Sequence, residues 1–237
     1  MAGRVRPGLE VLVAHPGLIR GQRVGLVANP ASITSDLTHA SDALAGVRDA
    51  RLVALLGPEH GFAAHAQDLI EVGHARDGTS GRPVYSLYGE TRIPTPEMLA
   101  DVDGVVFDLQ DVGSRYYTYA YTLLHLLEAA ARDAKRVVVL DRPNPLGGTV
   151  VAGNVLDRRF RSFVGLHPLA VRHGMTLGEL ALMFREELGL EVDLHVVRMR
   201  GWQRPMHFED TGLPWVLPSP NMPTVDTAFV YPGGCLV

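Results

Sequence analysis

The sequence predicts an α/β protein: a Rossmann-like, mostly parallel sheet with helices on both faces, followed by the beginning of a smaller second module. Three observations carry this expectation. Short β-rich apolar runs alternate with stretches of helical character along the chain. Several runs are apolar at nearly every position, as strands covered on both faces must be. The runs end in polar residues flanked by Gly or Pro, the punctuation of strand-to-helix turns.

The first predicted strand is Arg23 to Ala28 (RVGLVA), stopped by Asn29-Pro30, and a helix is expected from about Ser35 to Val47. A second strand, Leu52 to Leu56, ends in Gly57-Pro58-Glu59-His60-Gly61, and a third, Val84 to Tyr88, ends at Gly89. Thr95-Pro96-Glu97 reads as the start of a short helix, with Thr95 capping and Pro96 at its first position. A fourth strand, Val105 to Leu109, runs into Gln110-Asp111-Val112-Gly113, and a long helix covers about Thr118 to Asp133. The fifth strand, Val137 to Leu140, ends in Asp141-Arg142-Pro143-Asn144-Pro145. The best-marked helix follows. Thr176 and Glu179 form a capping box, Met175 and Leu180 a hydrophobic staple, and Leu177, Leu180, Ala181, Phe184 and Leu188 an apolar stripe stopped by Gly189. A last strand spans roughly Val192 to Val197. Residues 1–200 are thus read as the Rossmann-like catalytic domain. Residues 201–237, rich in Pro and without periodicity, read as an irregular segment leading toward a second domain that is largely absent.

Composition narrows the function. Of 237 residues, 46% are hydrophobic and 20% charged, which supports a real core. The net charge of −4 argues against nucleic acid or an anionic membrane surface as partner. Lys135 is the only lysine, a bias that fits a GC-rich genome better than a set of anion clamps. Cys235 is the only cysteine, so no internal disulfide forms and no thiolate metal site can be built. The apolar stretch after Arg4 and Arg6 is broken by Glu10, His15 and Pro16, too short for a signal peptide, and no run spans a bilayer. A cytoplasmic location is the expectation; the oligomeric state is left open.

In an open parallel sheet, ligands bind beyond the carboxyl ends of the strands, where strand-to-helix loops and helix N-termini converge. The residues there are Asn29, Glu59-His60, Gln110-Asp111 and Asp141-Arg142-Asn144, so a polar cleft is expected on this edge. Glu59, held between Pro58 and Gly61, stands out. A carboxyl in a partly apolar site can serve as general acid, while a loop carboxylate satisfied by backbone donors fits the position equally well. In the run from Arg115 to Tyr121, Tyr117 and Tyr121 share a helical face and are expected in the core, leaving Tyr116 and Tyr119 to stack on a ligand. His173 precedes the capping box and is either a capping residue or an anion contact. His60, His65 and His74 with Asp68 and Asp77 match no strong metal motif, and no cofactor is called for. Asn29-Pro30-Ala31-Ser32 lacks the glycines that a dinucleotide site needs after the first strand.

Six motifs then occur in order: GPEHGF (57–62), PVYSLYG (83–89), DLQDVG (108–113), DRPNP (141–145), HGMT with GEL (173–180), and LPWV followed by PSPN (213–221). The set closely resembles the exo-β-N-acetylmuramidases, a family once known only as a domain of unknown function. The resemblance covers nearly the whole chain. It implies a Rossmann-like catalytic part and a smaller second part with a cleft between them. It implies release of N-acetylmuramic acid from the non-reducing end of peptidoglycan fragments, with Glu59 as the catalytic group. Such enzymes continue past Tyr231-Pro232-Gly233 into a second domain, so whether this chain is active alone is left open.

The mechanism expected on that basis has protonated Glu59 donating to the glycosidic oxygen as the sugar gains oxocarbenium character. Asp108 or Asp111 is the candidate second carboxylate, with assistance by the substrate's 2-acetamido group as the alternative. His173, Arg142 or Arg115 is the candidate contact for the lactyl carboxylate of muramic acid. Asn29, His60, Gln110, Tyr116, Tyr119, Asp141, Asn144, Ser219 and Asn221 complete the expected substrate-binding set. The rivals are a non-catalytic muramyl-sugar-binding protein and a metal-dependent hydrolase.

Overall fold

The computed structural model describes residues 4–59, 61–62 and 75–236. In chain order the elements are α1 (Gly8–Ala14), β1 (Arg23–Ala28), α2 (Ala40–Ala45), β2 (Arg51–Gly57), β3 (Ala75–Arg76), β4 (Pro83–Ser86), α3 (Pro96–Leu99) and β5 (Gly104–Asp108). Then follow α4 (Tyr119–Arg132), β6 (Arg136–Leu140), β7 (Ala152–Val155), β8 (Ala170–Arg172), α5 (Leu177–Glu187), β9 (Leu194–Val197) and α6 (Val225–Gly234). Seven strands form one sheet in the order β3-β4-β2-β1-β5-β6-β9. All neighbours are parallel except β3, which lies antiparallel to β4 at the edge. Strands β7 and β8 pair separately as an antiparallel ribbon.

The period-2 alternation of a strand explains why these runs are apolar throughout. Leu26, Leu55, Val106, Val138 and Leu140 point to one face, where Leu9 and Leu12 of α1 and Ala40 and Leu44 of α2 cover them. Val27, Leu56, Val105, Phe107, Val137 and Val139 point to the other, under Leu99 of α3, Leu123 and Leu127 of α4, and Leu180 and Phe184 of α5. Among the described residues, no helix is long and apolar enough to cross a membrane.

Several expectations need correction. The helix placed from Ser35 to Val47 begins only after His39, whose ring caps Ser41 N. Thr34 Oγ1 accepts from Thr38 N, and Leu37 is left-handed, so the upstream residues close a turn instead. In α5 the capping box at Thr176 and Glu179 is present, but Leu188 is 40% exposed and ends the helix instead of extending its buried stripe. The segment after residue 200, read as irregular, contains a 3-10 turn (Phe208–Thr211) and the ten-residue helix α6. It packs on the same core through Trp215, Met222, Ala228 and Tyr231.

Candidate active site

Strand β2 delivers Glu59 to the carboxyl edge of the sheet. The chain folds back so tightly that a Cβ on Gly57 would lie 2.4 Å from Phe62 N, and Gly61 N donates to Pro58 O at 2.9 Å. Any side chain at 57 would open the turn and move Glu59. The Glu59 carboxylate accepts a hydrogen bond from Thr118 Oγ1 at 2.6 Å, so the start of α4 anchors one of its oxygens, Oε2. Tyr88, just beyond β4, is beside it. Burial, and then the Glu59 charge and a hydrogen bond to Glu59, hold the Tyr88 hydroxyl above its ordinary value.

Glu59 opens into a cavity of about 450 Å³, within the range of small-molecule sites. Its walls are chiefly aromatic (Tyr88, Tyr116, Tyr117, Phe163, Tyr231), with Ser162, Thr118, Ser219 and Asn221 as polar positions. Among the described residues that line it, Glu59 is the only carboxylate and Arg92 the only cation.

The cavity is displaced from the point where the strand order reverses, between β1 and β5, because the C-terminal segment fills that crevice. Pro218 O accepts from both Asn29 Nδ2 (2.8 Å) and Tyr119 Oη (2.5 Å). Asn29 Nδ2 also donates to Tyr119 Oη, and Asn29 Oδ1 accepts from Ala31 N. Tyr119 is therefore a core residue and not the ligand platform expected; Tyr117 is buried in the core as expected and also lines the cavity with Tyr116. Helical spacing misassigned Tyr119 because its hydroxyl reaches across to Asn29 after β1 and to the tail.

Several other strand-end residues hold the fold together. Asp108, fully buried, accepts from Arg142 Nε (2.5 Å) and Nη2 (2.7 Å), and Arg142 Nη2 also donates to Ile33 O. That pairing withdraws Asp108 from the role of second carboxylate and Arg142 from the lactyl contact. Asp141 accepts from Thr176 Oγ1 and Gly178 N, fixing the N-terminus of α5; burial raises it to about 6. Asn144 donates to Met175 O and accepts from Leu146 N, and Gln110 donates to Asp111 O and Pro143 O. Arg115 is buried and donates to Asn154 O and Leu169 O, with Tyr116 stacked beside it. These contacts remove Arg115 as a free anion contact.

Asp111 and His173 face each other inside the protein. Asp111 Oδ2 accepts from Gly113 N and lies 3.8 Å from His173 Nε2, while His173 Nδ1 accepts from Met175 N. Burial pushes Asp111 up to about 7 and His173 down to about 4. A neutral, enclosed imidazole is not an anion contact, which corrects that reading of His173. Neither residue lines the cavity.

The chain matches the family described as exo-β-N-acetylmuramidase NamZ, N-terminal, over residues 24–226. It is 49% identical over 235 residues to the peptidoglycan β-N-acetylmuramidase NamZ of Bacillus subtilis (strain 168), covering 99% of this chain and 57% of that protein. The chain belongs to the NamZ family. Two crystal structures of DUF1343 family proteins from Bacteroides fragilis NCTC 9343 share the fold. One superposes with a TM-score of 0.92 at 44% identity, covering 98% of this chain and 60% of the other. The second gives 0.84 at 32% identity, covering 99% and 62%. The chain thus spans less than two thirds of the length of each of these relatives.

Within this NamZ family member, the motifs divide by what their side chains touch. The GPEHGF, PVYSLYG and PSPN segments supply Glu59, Tyr88, Ser219 and Asn221 to the cavity, whereas DLQDVG and DRPNP build the ion pair and backbone anchors behind it. His60, with His65, Asp68 and His74, lies outside the described residues. Asp77 closes a surface turn onto Ser80. Among the described residues, no group of three His, Cys, Asp or Glu side chains gathers to hold a metal. Sequence reasoning passed over Tyr88, Arg92, Thr118, Phe163 and Tyr231 as site residues. Tyr88 carried a signal, since it stands before Gly89 at a predicted strand end; Arg92 and Phe163 come from loops without one.

Proposed function

We propose that this chain provides the catalytic face of a glycoside hydrolase that releases N-acetylmuramic acid from the non-reducing end of peptidoglycan fragments. One observation carries the reading: Glu59 is held by Thr118 at the wall of a sugar-sized, aromatic-lined cavity on the carboxyl edge of the sheet. Aromatic rings suit the apolar faces of a pyranose, and the hydroxyl and amide groups between them suit its substituents. Similarity to a B. subtilis protein named peptidoglycan β-N-acetylmuramidase supports the substrate class.

In this mechanism Glu59 donates its proton to the glycosidic oxygen as the bond to the anomeric carbon breaks. Both oxygens of Asp108 are engaged by Arg142, and Asp111 is enclosed, so neither presents a carboxylate to the sugar. Among the described residues that line the cavity no second carboxylate accompanies Glu59, which supports the oxygen of the substrate's own 2-acetamido group as the nucleophile, closing onto the anomeric carbon. Water reopens that ring and returns a proton to Glu59.

The test is an assay on muramyl-terminated glycan fragments, with N-acetylglucosamine-terminated fragments as control. Free N-acetylmuramic acid is expected from the first and no sugar from the second. Internal cleavage would overturn the exo reading. Saturable binding without any release would leave a saccharide-binding protein and remove the hydrolase.

A further inference from the structure

We infer that Arg92 reads the negative charge of the substrate, donating to the 3-O-lactyl carboxylate of N-acetylmuramic acid inside the Glu59 cavity. The inference rests on the substrate class proposed above and adds the residue that makes the site selective for it.

The cationic candidates visible in the sequence are all engaged elsewhere. Arg142 is committed to Asp108, Arg115 to two carbonyl oxygens, and His173 is enclosed and neutral. Arg92 lines the same cavity as Glu59, and among the described residues no carboxylate pairs with it. Its guanidinium carbon sits 4.1 Å from the centre of the Phe163 ring and 4.9 Å from that of Tyr88. A guanidinium held against aromatic rings keeps N–H donors beyond the one it shares with the Tyr88 hydroxyl. Those donors match a carboxylate in the bidentate geometry that distinguishes arginine from lysine. An arginine resting against two aromatic rings also loses less side-chain freedom when a ligand arrives.

The placement fits the chemistry of the sugar. Tyr88 stands between the two charged groups: its hydroxyl interacts with Glu59 and with Arg92. In N-acetylmuramic acid the lactyl ether is carried on C3, two ring carbons from the anomeric carbon where the bond breaks. The group that reads the carboxylate must therefore line the same cavity as the acid, as Arg92 does. N-acetylglucosamine lacks the lactyl group and would leave the guanidinium without a partner, so the residue selects between two sugars that otherwise present the same faces.

The test measures equilibrium binding of three probes: N-acetylmuramic acid, its lactyl carboxamide and N-acetylglucosamine. The unmodified protein is expected to bind the acid roughly 10- to 100-fold more tightly than the carboxamide, the span of one charge-assisted hydrogen-bonded contact. Arg92→Met keeps an apolar stem against Phe163 and should abolish that preference, weakening the acid far more than the carboxamide; Arg92→Lys should retain part of it. A merely structural role would weaken all three probes alike. Equal binding of acid and carboxamide by the unmodified protein, an undiminished preference in Arg92→Met, or no binding of any probe would overturn the inference. Glu59→Gln separates the two proposals, because it should stop turnover and keep the preference. Binding through Arg92 without hydrolysis would sink the hydrolase alone, and hydrolysis with the preference intact in Arg92→Met would sink this inference alone.

Discussion

Replacing Asp108 by Ala should cost stability, not chemistry. The carboxylate is 0% exposed and its partner Arg142 is 5% exposed. Two hydrogen bonds, at 2.5 and 2.7 Å, join them, and a third ties Arg142 Nη2 to Ile33 O at 2.9 Å. Removing the acid leaves a guanidinium enclosed without its counter-charge, which costs about 3–5 kcal/mol in buried pairs of this kind. For a chain of this size each kcal/mol moves the melting point by about 2–4 °C, so the loss is about 6–20 °C. Arg142→Met alone should cost a comparable amount, because it strands the carboxylate. The double variant Asp108→Ala with Arg142→Met should lose much less than the two single losses summed, since no unpaired charge remains. Chemical denaturation of the four proteins measures the coupling directly. Additive losses, or an Asp108→Ala protein of undiminished stability that has lost turnover, would refute the structural assignment and return Asp108 to the catalytic machinery.

Three further outcomes follow from the geometry around the site. Gly113→Ala should destabilise by at least about 1–3 kcal/mol in the same denaturation assay, because Gly113 has φ +76 and a Cβ there would meet Asn144 Oδ1 at 2.3 Å. Thr118→Val should lower kcat by roughly 10- to 100-fold with little change in KM, since it removes the hydrogen bond that orients Glu59, and Thr118→Ser should restore it. The Asp111–His173 pair makes opposite contributions to pH-dependent stability. Folded Asp111 keeps its proton up to about 7, whereas the unfolded chain loses it near 3.8, so its contribution is lost as pH rises through that window. Folded His173 refuses a proton down to about 4, whereas the unfolded chain accepts one below 6.5, so its contribution grows as pH rises from 4 to 6.5. Relative to the unmodified protein, the stability of Asp111→Asn should therefore rise with pH between 4 and 6.5, and that of His173→Asn should fall, each by about 1.4 kcal/mol per pH unit at most. Parallel pH profiles for all three proteins would contradict the assignment.

The sheet was legible because its signals are local. Strand β1 runs from Arg23 to Ala28 as its composition demands, and the Thr176/Glu179 box starts α5 where two reciprocal hydrogen bonds can form. Where the reading failed, a distant partner or a competing local bond decided the outcome. Helix α1 follows Pro7 and is pinned through Gly8 N to Asp141 O, a contact just beyond β6 that no local pattern announces. Helix α6 carries Pro232 in its last turn and little apolar periodicity, yet it packs Ala228 into the core. Strand ends correctly marked the edge where polar residues gather. They could not distinguish Glu59, which meets a cavity, from Asp108, which meets an arginine 34 residues later in the chain. The aromatic wall around Arg92 was invisible for the same reason: Tyr88 and Phe163 are brought together only by the fold.

The most direct test of the account is the turnover of a chromogenic β-N-acetylmuramide by Glu59→Gln. The substitution keeps the size of the side chain and an acceptor for Thr118, and removes the acid. Turnover should fall by about 10²- to 10⁴-fold with the melting point and sugar binding preserved. A Glu59→Gln protein that releases the chromophore at the unmodified rate would show that the proton comes from elsewhere.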